Sequence, residues 1–225
     1  MEILENLRNL SDEKYAKFSA KILPGARILG VKMPYLRALA KQVLREQSEG
    51  EILEFIRAKG EFSEEMTLKA ILINSLKISE KNRINLARDF IPRITNWGVC
   101  DTFCTKRKND LELWWEFTLG FREARGEFEK RFFYVNLLVN FVNSRNLALL
   151  LDTVSAERSE KYYVQMGAAW ALCEFAVKFE REIYEFLQGY ENEKIKNLAI
   201  KKICESLRFT EQSKTKFKAL KSAKS

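Results

Sequence analysis

Histidine is absent from all 225 residues. That absence excludes Ser-His-Asp and Cys-His catalysis, histidine-ligated metal chemistry and imidazole pH switching. Any catalysis must rest on carboxylates, lysine, tyrosine, cysteine or a bound cofactor. Proline and glycine are scarce, at three and nine, so few positions break helices. No strand–turn–strand pattern with Asn-Gly or Asp-Gly turns stands out, and no Walker or Rossmann glycine loop is present, which argues against nucleotide hydrolysis. No run approaches the roughly 18 consecutive apolar residues of a membrane-spanning helix. Met1-Glu2-Ile3-Leu4-Glu5 lacks the basic start of a signal peptide. The four cysteines, Cys100, Cys104, Cys173 and Cys204, have neither a disulfide-framework nor a CxxC spacing. They read as buried free thiols in a reducing cytoplasm. Without histidine, Cys100 and Cys104 make a poor zinc site.

What is abundant is Leu, Lys, Glu, Ala and Arg, a mixture that favours helix nearly throughout, so the chain is expected to be all-α. The formal charge is +8. Between Glu211 and Ser225, five lysines (Lys214, Lys216, Lys218, Lys221 and Lys224) face one glutamate. About half the excess charge thus lies in an expected tail over 209–225, with one domain expected over 1–208. A solvated tail and a tail touching DNA both fit that composition.

Short amphipathic helices are expected over Glu2–Leu10 and Glu13–Lys21, before the Pro24-Gly25 break. A further helix is expected over Met33–Arg45, with Pro34 in its first turn. Glu51–Ala58 follows as a short helix. From there the segments come in pairs. The second helix of each pair can be anchored at Glu65, Trp97, Lys130, Gln165 and Asn197, separated by 32, 33, 35 and 32 residues. Two helices per period of that size predict an α-solenoid, each pair burying its face on the next, with the second helices lining the concave side. An irregular helical bundle is the alternative.

One cluster invites a chemical explanation. In Thr95-Asn96-Trp97-Gly98-Val99-Cys100-Asp101, Trp97 and Asp101 are four residues apart and share a helix face. Thr95 or Asn96 is the expected N-cap. By spacing alone, an ordinary first-turn acid beside a core tryptophan fits as well. Trp170 lies two repeats later at nearly the same offset, after the small residues Gly167, Ala168 and Ala169. Arg131 opens the repeat helix between them. The adjacent Trp114-Trp115 pair reads as structural.

These segments resemble the HEAT-like-repeat DNA alkylation repair enzymes, the AlkD-like glycosylases. The resemblance is carried by Leu29-Gly30-Val31-Lys32-Met33-Pro34-Tyr35-Leu36-Arg37 and by Asn96-Trp97-Gly98-Val99-Cys100-Asp101. It continues through Arg131, Tyr162-Tyr163-Val164-Gln165-Met166-Gly167-Ala168-Ala169-Trp170 and Ala199-Ile200-Lys201-Lys202-Ile203. It runs in order over residues from about 15 to 208. It implies hydrolysis of the N-glycosidic bond of cationic N3- or N7-alkylated purines in duplex DNA. Asp101 then stands as the catalytic carboxylate, Trp97 and Trp170 beside the lesion's sugar, and Arg131 on the backbone. Further DNA contacts are expected from Lys32, Lys69, Lys130, Tyr162, Tyr163, Lys201 and Lys202. Most glycosylases extrude their base; this family grips the nucleotide from the backbone side and leaves the base in the duplex. The implied partner is double-stranded DNA with alkylated bases, with no metal, no nucleotide or other cofactor, and no membrane. A cytoplasmic monomer is expected, since no heptad seam suggests self-association.

The chemistry fits a site without histidine. A cationic purine leaves neutral and needs no general acid, while positive charge develops on the deoxyribose. A carboxylate about 4 Å away gains roughly 4 kcal/mol at an effective dielectric near 20, roughly a thousandfold in rate if fully differential. Asp101 can also orient the attacking water. Indole faces favour the same cation by about 0.5 to 2 kcal/mol, and basic side chains add salt-dependent affinity. Two positions depart from the familiar catalytic pattern: Asn96 stands where a second tryptophan is usual, and Cys173 where a basic residue is. They favour an alternative, a DNA-binding paralogue without excision activity. A helical-repeat scaffold for a protein partner is the third reading.

Overall fold

The structure is a computed structural model that describes residues 2–221. Among the described residues there are fourteen α-helices, one 3-10 turn and no strand. The helices are α1 (Glu2–Asn9), α2 (Glu13–Ile22), α3 (Met33–Glu46), α4 (Glu49–Arg57), α5 (Ser63–Ser75), α6 (Glu80–Phe90) and α7 (Trp97–Phe103). They continue with α8 (Leu111–Leu119), α9 (Glu127–Asn140), α10 (Ser144–Ser155), α11 (Tyr162–Ala176), α12 (Glu180–Gly189), α13 (Glu193–Glu205) and α14 (Glu211–Lys218). The all-α expectation holds.

Local chemistry sets many of the starts. Asp12, Ser79, Asn96, Asn143, Asn192 and Thr210 each accept a first-turn backbone N–H as an N-cap. Ser48 and Glu51 form a reciprocal capping box at α4. Pro34 sits in the first turn of α3, where its missing N–H costs nothing.

The chain divides into two compact units, Met1–Trp114 and Trp115–Ser225. In the first, α3, α5 and α7 lie side by side, with α1, α4 and α6 packed on that row. In the second, α9, α11 and α13 form the row, with α10 and α12 against α11 and α14 against α13. Apart from α3, the row helices are those anticipated as second members of the pairs. Three of the row helices, α5, α9 and α11, are buried almost all round: residues 130–138 of α9 are buried without a break, as are 63–70 of α5. These three therefore lack the single apolar stripe of α1 or α12.

Polar side chains tie each repeat to the next at the same period. In the first unit, Arg93 donates to the carbonyls of Ile56, Arg57 and Ala58 at 2.9, 3.0 and 3.1 Å, closing the end of α4. Trp114 donates to Glu80 at 2.7 Å. In the second, Lys178 reaches the Val142 carbonyl at 3.2 Å and the Tyr190 hydroxyl reaches that of Val154 at 2.9 Å. These pairs are 34 to 37 residues apart, so the period found in the sequence reappears in the bonding.

The segment expected as a basic tail begins with α14, whose Phe217 is fully buried and meets the rings of Tyr184 and Phe209. Lys214 is paired with Glu211 at 2.8 Å. Lys224 lies outside the described residues.

Candidate functional site

The first unit carries an open cleft of about 390 Å³ beside α7. Asn96 rather than Thr95 caps that helix: its side-chain oxygen accepts from Val99 N at 3.1 Å, and its amide donates to Ser63 Oγ of α5 at 3.1 Å. The buried Asn96 thereby fixes where the helix begins and how it sits on α5. Trp97, half-buried, donates its indole N–H to the Ile22 carbonyl at the end of α2, at 3.0 Å. Asp101 lies one turn later, half-buried, and lines the same cleft as Trp97. The facing walls come from Tyr15 and Ser19 of α2, Arg37 of α3, and Glu64 and Thr67 of α5. The helical spacing of Trp97 and Asp101 thus brings an indole and a carboxylate to one concave surface.

The cleft wall is held by a carboxylate that the sequence did not single out. Glu64, buried on α5, accepts three consecutive backbone N–H groups, from Leu29 at 3.0 Å, Gly30 at 2.8 Å and Val31 at 3.3 Å. Gly30 has φ +91°, and a Cβ there would collide with the Asp12 carbonyl oxygen, so the loop needs glycine at this place. Lys32 follows the loop, exposed, 3.4 Å from Asp12 and 5.7 Å from the centre of the Tyr15 ring.

In the second unit, Trp170 is half-buried on α11 and donates its indole N–H to Glu174 at 3.2 Å. Lys202 stands 5.6 Å from its ring centre. Arg208 binds Glu174 and holds its carboxyl below the usual range. Burial pushes the neighbouring Cys173 thiol up to about 12, so this position supplies a neutral group. Tyr162 is exposed and Tyr163 half-buried, their rings edge to face at 5.3 Å. Burial raises the Tyr163 phenol. Lys201 is exposed and lies 3.8 Å from Glu205.

Three expected DNA contacts are placed differently. Lys69 is 0% exposed; its ammonium donates to the Ala58 carbonyl and to Glu65, both at 2.9 Å, over the Phe55 ring. Burial lowers its pKa. No part of it reaches a phosphate. Lys130 is 8% exposed and ties the Arg122 carbonyl to the region of Glu157. Arg131, 5% exposed, donates to the Tyr163 carbonyl at 3.1 Å, across one repeat. All three sit on row helices, where a long cationic side chain is used to satisfy carbonyls inside the stack.

Of the residues that the sequence did not mark, Glu174 was findable, since it lies one helical turn from Trp170. Glu64 and Arg208 were not. Their partners are loop amides and a carboxylate roughly one repeat away in the chain.

Among the described residues, no cluster of three or more carboxylates and thiols gathers to hold a metal ion, and no helix is long and apolar enough to cross a membrane. The fold and cleft define a helical-repeat protein with an acidic, indole-lined surface site. Residues 3–207 match the family described as DNA alkylation repair enzyme, and the chain belongs to that family. No curated protein matches the sequence. Membership places the protein in the repair of alkylated DNA.

Proposed function

We propose that the protein is a DNA glycosylase that hydrolyses the N-glycosidic bond of cationic N3- or N7-alkylated purines in duplex DNA. The observation that carries this reading is the presence of Asp101 and Trp97 on one open cleft of about 390 Å³. Asp101 stabilises the sugar as its positive charge grows and orients the water that attacks its anomeric carbon. Trp97 packs on the sugar, its electron-rich face toward the developing cation, and the family resemblance gives Trp170 the same role. The alkylated base leaves as a neutral purine, so no protonated residue is required at the leaving group. Exposed Lys32, Lys201 and Tyr162, with the half-buried Lys202, supply contacts to the phosphates. Arg131 acts on DNA through Tyr163, by holding the first turn of α11. The protein works as a cytoplasmic monomer, without metal or organic cofactor.

A second reading, a DNA-binding relative without excision activity, is favoured by the structural duty of Asn96 and the neutral, buried Cys173. Incubation with duplex DNA carrying N7-methylguanine separates the two. Free 7-methylguanine in the supernatant supports the glycosylase. Duplex binding that weakens steeply with salt but releases no base, beside an active family member run in parallel, leaves only the second reading.

A further inference from the structure

Trp170 is held by a device that lies partly beyond the residues matched to the family. Its indole N–H, the only donor the ring has, goes to Glu174 Oε1 at 3.2 Å, one turn along α11. Glu174 in turn accepts both terminal nitrogens of Arg208, Nη1 to Oε2 at 2.7 Å and Nη2 to Oε1 at 2.5 Å. Arg208 follows α13 and stands just past the matched range, which ends at residue 207. A two-pronged guanidinium bond fixes the plane of the carboxylate, which the point charge of a lysine does not. Lys202, on α13, covers one side of the same ring at 5.6 Å.

We propose that Glu174, clamped by Arg208, is a positioning residue that sets the plane of the Trp170 ring for contact with the lesion's sugar. This rests on the reading of Trp170 given above. Cation–π attraction requires the cation over the ring face, within about 6 Å of its centre. An indole free to rotate about its χ2 bond spends part of its time edge-on to the sugar. The bond to Glu174 removes that freedom. The clamp also manages charge. A bare carboxylate beside a DNA-facing ring would repel phosphates, but Glu174 is neutralised by Arg208, and Lys202 leaves the group net positive. Arg208 is the principal cause of the lowered Glu174 pKa, so the pair stays ionised at neutral pH.

The test uses the full chain, single-turnover release of N7-methylguanine from duplex DNA, and proton–nitrogen spectra of the four indole N–H groups. The Trp170 signal is assigned by its disappearance in Trp170→Phe. Glu174→Ala is expected to slow release at saturating enzyme by about tenfold, with no loss of affinity for undamaged duplex, because Arg208 becomes available to phosphate. Its Trp170 N–H signal should shift and exchange faster with solvent, while the other three stay in place. Glu174→Gln retains an acceptor for the indole and should recover part of the rate. Arg208→Ala should slow release and also weaken duplex binding, since it leaves an unpaired carboxylate.

Glu174→Ala with the wild-type rate and an unmoved Trp170 signal overturns the inference and leaves the glycosylase reading intact. Parallel loss of rate, affinity and all four indole signals marks a merely structural role and also overturns it. A wild type that releases no base sinks the glycosylase reading and, with it, the role proposed for the clamp.

Discussion

Replacing Glu64 by glutamine keeps the size of the side chain and removes one acceptor from beneath the loop at Leu29–Val31. In the native protein, Oε2 takes the Leu29 N–H at 3.0 Å, and Oε1 takes those of Gly30 and Val31 at 2.8 and 3.3 Å. Glutamine has a single carbonyl oxygen, so an NH₂ donor must face at least one of these N–H donors. Bonds to an ionised group contribute about 1.5–3 kcal/mol each, and an unsatisfied buried donor costs a similar amount. The loss should therefore be about 2–4 kcal/mol, which moves a urea midpoint by about 1–2 M at an ordinary slope. The loop cannot shift freely to recover the bonds. Gly30 is packed against the start of α2, where its carbonyl accepts the Asp12 N–H at 3.1 Å. Urea unfolding followed by circular dichroism gives the midpoint, and hydrogen exchange at the three amides shows whether the loop has loosened. A midpoint within about 0.3 M of wild type, with protection at residues 29–31 unchanged, would refute the reasoning.

Lys69→Met should strand the buried Glu65 carboxylate and cost about 3–5 kcal/mol in urea unfolding, whereas Lys69→Met with Glu65→Leu should regain most of it. A single variant as stable as wild type would contradict that. In alkali, the buried Tyr190 phenol is pushed up to about 12 from its ordinary value of 10.0, and burial raises Tyr134 further. The unfolded chain therefore loses these protons first. Stability is complete below pH 10 and falls as pH rises toward 12; Tyr190→Phe, which also gives up the bond to Val154, should flatten that fall when unfolding is followed against pH. Of the four thiols, Cys100, Cys104 and Cys173 are buried, and Cys204 is part-exposed. An aromatic disulfide reagent at pH 8 should find one fast thiol in the native protein and four in denaturant, and two fast thiols would contradict the packing.

The repeat was legible because its period is a backbone property, row helices recurring at intervals of similar length; the likeness of offset between Trp97 and Trp170 does not persist, since Trp97 opens α7 while Trp170 lies in the middle of α11. Trp97 and Asp101 were also legible as neighbours, since helical spacing alone puts them on one face. The lysines were not. Lys32 and Lys201 are exposed as expected, but Lys69 and Lys130 are spent on carbonyls inside the stack. A sequence window gives α5 and α9 no single apolar stripe from which to tell inward from outward. The helix within residues 211–221 was hidden for a related reason. Phe217 is the one fully buried anchor of α14, and a single aromatic among lysines makes no periodic pattern. Glu64 was hidden because its role depends on a loop folding back onto α5.

Excess protein mixed with duplex DNA carrying one N7-methylguanine, with the freed base quantified over time, decides whether Asp101 does the chemistry assigned to it. Wild type should release 7-methylguanine, and Asp101→Asn should do so about a hundredfold more slowly or worse, with its affinity for undamaged duplex unchanged. Equal rates for the two proteins, or no release by wild type beside an active relative, would contradict it.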